Sequence, residues 1–67
     1  MKIYIENSYG IEGTKAYFKK EGDNCFSFVN SIKFASELSA KEASGIIEYA
    51  DWYKNQYGAN KMGVIVE

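Results

Sequence analysis

An α+β fold is what this sequence predicts, in the order β-β-β-α-β, with one helix packed on one face of a small, mostly antiparallel sheet. Three observations carry that reading. Polar and apolar residues alternate along KIYIE at 2–6 and TKAYFKK at 14–20, the period of a half-buried strand. SAKE at 39–42 has the spacing of a capping box and opens a run with helical periodicity. KMGVIVE at 61–67 then returns to alternation.

In the first strand Ile3 and Ile5 take one face, and Lys2, Tyr4 and Glu6 take the other. NSYGIEG at 7–13 reads as a loop, because Asn, Ser and Gly tolerate left-handed backbone angles and compete with ladder hydrogen bonds. In the second strand Ala16 and Phe18 oppose Lys15, Tyr17 and Lys19. EGDN at 21–24 supplies a tight turn into CFSFVN at 25–30, which makes Phe18, Phe26 and Phe28 cross-strand neighbours.

Ser31 caps a short helical turn within SIKFASEL at 31–38, expected to bury Ile32 and Ala35 together with Phe34. The main helix starts at SAKE and runs to about Tyr57, where Gly58 suits the left-handed position that closes helices. In the last strand Met62, Val64 and Val66 share a face and Ile65 takes the other, with Gly63 marking a bulge or a close approach. A right-handed crossover would place this strand parallel to the first or third, in the order 3-2-1-4, leaving one sheet face open.

At about 100° per residue, Ala43, Ile46, Ile47, Ala50 and Tyr57 fall on one arc of the helix, with Tyr53 at its margin. That arc faces the sheet. Trp52 breaks the pattern: it lies roughly opposite the centre of the arc, beside Gly45 and Glu48, where a purely structural helix would carry a charge. Either the 7–13 loop or the 31–38 segment folds over the ring, or Trp52 and Tyr49 anchor a protein partner, with Glu48 and Asp51 beside them on the polar stripe. Trp and Tyr are over-represented among the residues that dominate interface energetics.

Composition narrows the chemistry. The 67 residues make one domain near the size at which burial only just offsets chain entropy, and the six Tyr, four Phe and one Trp supply large buried areas. There is no Arg, His or Pro, which removes the bidentate phosphate clamp and the commonest general base. Cys25 is the sole cysteine, so no Cys/His metal site can be assembled and no intramolecular disulfide forms. The expectation is a protein that is not an enzyme and carries no cofactor or metal. No apolar run approaches a membrane span or the core of a signal peptide, and the cytoplasm is the expected compartment.

The open sheet face offers a second surface, with Tyr4, Tyr17, Lys2, Lys15 and Lys19 together on it. Interleaved rings and ammonium groups are what single-stranded nucleic acid needs for base stacking and phosphate neutralisation. A net charge of −1 provides no global attraction to a polyanion, so nucleic acid is the alternative to a protein partner. A homodimer that hides part of this face is a further use of it.

FVNSIKFASELSAKEASGIIEYADWY at 28–53 resembles a pattern found in short, mostly uncharacterised proteins of bacteriophages and prophages of low-GC bacteria. The matching positions are Phe34-Ala35, in the place of an Ala-Phe type turn, and Ser39 to Ala43, in the place of the helix start. The resemblance implies an origin in a mobile element, where small proteins often act by binding a host or viral protein. It brings no catalytic or binding position with it.

Overall fold

Alternation along the chain becomes four strands: β1 (Lys2–Glu6), β2 (Lys15–Gly22), β3 (Cys25–Val29) and β4 (Lys61–Ile65). The computed structural model describes residues 1–66. Glu67, which the alternation assigns to the last strand, lies outside the described residues. The strands form one antiparallel sheet in the order β3-β2-β1-β4, and two helices follow the third strand. The class is therefore α+β, and the strand order is the one expected.

Two expectations are corrected. The single helix is two helices of eight residues each, α1 (Ala40–Ile47) and α2 (Ala50–Tyr57), parted at Glu48 and Tyr49. The break follows Ser44-Gly45, a weak helix-forming pair. In addition β4 runs antiparallel to β1, with Ile5 opposite Met62 and Ile3 opposite Val64. A lone crossover helix would have returned the chain parallel to β3.

The cause is an extra crossing. Registered pairs between β1 and β2 end at Tyr4↔Tyr17, and the chain at 36–38 inserts where β1 and β2 part. The Ser36 amide donates to the Phe18 carbonyl at 3.0 Å and the Lys20 amide donates to Ser36 Oγ at 2.7 Å. On the other side the Leu38 amide donates to the Met1 carbonyl at 2.7 Å, and the amino terminus, ion-paired with Glu37, donates to the Leu38 carbonyl. This extended return carries the chain back along the sheet before α1 begins, which reverses β4.

The 31–38 segment also departs from expectation. Its helical part is a 3-10 turn at Ile32–Phe34, and Ile32 and Phe34 are exposed; Leu38 is the residue that is buried. The turn contacts β2. On the helix side Tyr53 and Tyr57 pack against Phe18 and Phe28.

Ile3 and Ile5 are fully buried, and Ile3, Phe18, Leu38 and Ala43 form the centre of the core, with Ile46, Ile47 and Met62 packed around it. α1 begins with the complete capping box: the Glu42 amide donates to Ser39 Oγ and the Ser39 amide to Glu42 Oε1, both at 3.1 Å. These bonds, with Lys20 nearby, hold the Glu42 carboxyl below its usual range. The unfolded chain thus takes up that proton first as pH falls. The stabilisation is full at neutral pH, starts to fall near the ordinary carboxylate pKa and is lost as pH passes the lowered one. Urea denaturation across that range should show a shallower acid-side loss for Glu42→Gln than for the wild type; equal slopes would refute the linkage.

Gly58 ends α2 at φ 61°, and a Cβ there would stand 3.2 Å from the backbone of Tyr9. Gly58→Ala should cost about 1–2 kcal/mol from the left-handed conformation alone. In a domain of this size each kcal/mol lowers Tm by roughly 4–8 °C, which thermal unfolding measures. An unchanged Tm would mean that Gly58 does not hold the left-handed conformation that closes α2.

Candidate functional site

Both helices contact β4, and they leave the helix-side surface of the β2–β3 hairpin incompletely covered. Aromatic side chains fill part of that space. Phe26 lies 5.5 Å from Phe18 and 5.3 Å from Tyr53, measured between ring centroids, and Phe28 lies 4.7 Å from Tyr57. Burial pushes the Tyr53 phenol up, and burial with neighbouring Tyr9 and Tyr53 does the same to Tyr57, so both stay neutral at physiological pH.

Between α1 and the hairpin remains a groove of about 570 Å³, floored by Phe18, Phe26, Leu38, Ile46 and Tyr53. Gly45 lines one wall, and a Cβ at that position would meet nothing within 4 Å. At the mouth Lys20 Nζ stands 3.7 Å from Glu42 Oε2, an ion pair that links strand to helix across the opening. The sequence reading missed this groove. Its one local signal was a glycine in mid-helix, which cannot be told from a packing glycine without knowing how far the opposite strand lies.

Trp52 sits at the edge of the same aromatic group, 5.0 Å from Tyr53 and 6.4 Å from Phe26, and is 50% exposed. Neither segment expected to cover it does so: Tyr9 of the 7–13 loop packs instead on Tyr57. The ring is nonetheless not opposite the sheet, because its flank of the helical layer reaches β3. Tyr49 stands at the break between helices, 65% exposed, and Glu48 and Asp51 are exposed as well. Asp51 pairs with Lys54 at 3.4 Å.

On the other face Tyr4 and Tyr17 are directly opposed across β1 and β2. Tyr4 leans over Gly63, where a Cβ would come within 2.6 Å of its hydroxyl; the close approach suggested by that glycine is real. Lys15 stands 5.2 Å from the Tyr4 ring centroid and 3.6 Å from Glu6, Lys19 pairs with Glu21 at 3.8 Å, and Lys2 approaches Glu37 at 3.9 Å. The rings and lysines are assembled as expected, but each ammonium already has a carboxylate beside it.

Among the described residues no three His, Cys, Asp or Glu side chains are placed to hold a metal ion, and no helix is long and apolar enough to cross a membrane. Cys25 is exposed at the groove wall. No family model matches the chain, and neither a curated protein nor a solved structure matches it.

Proposed function

We propose that this chain is a small non-enzymatic protein-binding module that modulates or inhibits its partner, with the contact centred on Trp52 and joined by Tyr49, Glu48 and Asp51. The observation that carries the reading is Trp52 itself: half its surface faces solvent while its inner edge rests on Phe26, next to an apolar groove. A large ring held at one edge and free at the other loses little conformational entropy when a partner covers it. The resemblance to phage proteins makes a host protein the natural class of partner.

Single-stranded nucleic acid on the sheet face with Tyr4 and Tyr17 is the weaker reading. A phosphate reaching Lys2, Lys15 or Lys19 has to compete with Glu37, Glu6 or Glu21. The experiment is affinity capture from cell extract with wild type and Trp52→Ala in parallel, each first shown to be folded. Equal recovery of the same protein by both rejects Trp52 as the centre of the contact.

A further inference from the structure

The free edge of β3 carries information that its side chains alone do not. In an antiparallel ladder, opposed residues either exchange both backbone bonds or turn both away. The Phe18 carbonyl and the Lys20 amide are turned toward Ser36, away from β3. Their registered partners are Phe28 and Phe26, so these two residues direct their N–H and C=O groups outward at the sheet edge. The result is a row of four unpaired backbone groups, spaced to receive another strand.

Edges of this kind are normally blunted by Lys, Pro, a bulge or a covering element. β4, the other edge, opens with Lys61, contains Gly63 and is flanked by both helices. β3 reads CFSFV, with no charge, no Pro and no Gly, and its one registered irregularity lies at the hairpin end, between Lys20 and Gly22. The short palindrome Phe26-Ser27-Phe28 is complementary to itself in antiparallel pairing. With a twofold axis at Ser27, Phe26 of one copy faces Phe28 of the other, and all four outward backbone groups are satisfied in each chain. Both partly exposed phenylalanines gain a neighbouring ring, and no like charges come opposite one another.

We infer that β3 is an interface strand on which a second copy of this chain pairs antiparallel about Ser27, joining two four-stranded sheets into one of eight. This goes beyond the partner-binding proposal. Trp52 adjoins the strand, so the same step places the two Trp52 surfaces side by side as one bivalent aromatic surface.

The test uses the full chain. Sedimentation equilibrium at up to about 1 mM protein should give twice the 7.6 kDa chain mass. Ser27→Glu, which sets two carboxylates on the axis beside Glu21 of each copy while each lies opposite Lys19 of its own chain, should return the chain to 7.6 kDa with its circular dichroism unchanged. Ser27 faces its own symmetry mate as a non-hydrogen-bonded pair, with Cα atoms about 4.5 Å apart, within disulfide reach. Mild oxidation should therefore link Ser27→Cys in a Cys25→Ser background, while the wild type, whose Cys25 faces Val29 of the other copy, stays unlinked. A mass of 7.6 kDa at every concentration overturns the inference. So does faster linking through Cys25, or a ladder of higher species, which would put β4 in the contact too. A strictly monomeric chain that still captures its partner through Trp52 leaves the proposed function standing. A dimer whose capture ignores Trp52 does the reverse.

Discussion

Truncating Phe18 to alanine should leave the chain largely unfolded at room temperature. Phe18 is 6% exposed and is the ring on which the others converge, with Phe26, Phe28 and Tyr53 at 5.5, 5.8 and 6.5 Å between centroids. Removing a buried phenyl costs about 3–5 kcal/mol, as transfer free energy plus the cavity left behind. A core in a chain of this length supplies roughly 3–5 kcal/mol of net stability, so one substitution removes most of it. The Phe18 carbonyl that accepts the Ser36 amide is kept in the variant, so the loss is one of side-chain packing. Loss of near-ultraviolet circular dichroism and of a cooperative urea transition is the expected readout. A transition at the wild-type midpoint would show that the aromatic group does not hold the hairpin and helices together.

Trp52→Ala should separate stability from binding. Half of the ring is already in water, so the expected loss of stability is about 1–2 kcal/mol, well below that of a core aromatic. The loss of affinity should be at least about 2 kcal/mol, near 30-fold, if Trp52 is the anchor of the contact. Tyr49→Ala provides the comparison. At 65% exposure it should change stability by less than about 0.5 kcal/mol while still weakening capture, because it borders the same surface. Partner recovery that falls only in proportion to the folded fraction would reduce Trp52 to a packing residue. Recovery lost in both variants while each remains folded at the capture temperature would establish the helix-side surface as the contact.

These two predictions rest on residues of different legibility. Phe18 could be placed in the core from the alternation of TKAYFKK alone, because side-chain direction in a strand is decided by neighbours two positions away. Trp52 could be singled out by its angle on the helix, yet whether a segment covered it was open, and that depended on residues far along the chain. The groove beside it was not legible: its walls come from β2, β3, Leu38 and both helices, and no local pattern encodes the distance between them. The lysines of the opposite face were correctly grouped, but their carboxylate neighbours Glu37 and Glu21 arrive through the extended return and the hairpin bulge.

By itself the sequence determined the class, the position of the strands, the start of the helical layer at Ser39 and its end at Gly58, and the apolar faces of β1 and β2. These follow from side-chain period, capping geometry and turn chemistry, all of which act over a few residues. Tertiary structure alone decided that β4 runs antiparallel, that the helix breaks at Glu48 and Tyr49, and that Trp52 stays half in water. The direction of β4 turns on where the segment at 36–38 comes to rest between β1 and β2, and the exposure of Trp52 on how the helical layer meets β3; both are set by contacts among residues remote in sequence, for which no local pattern exists.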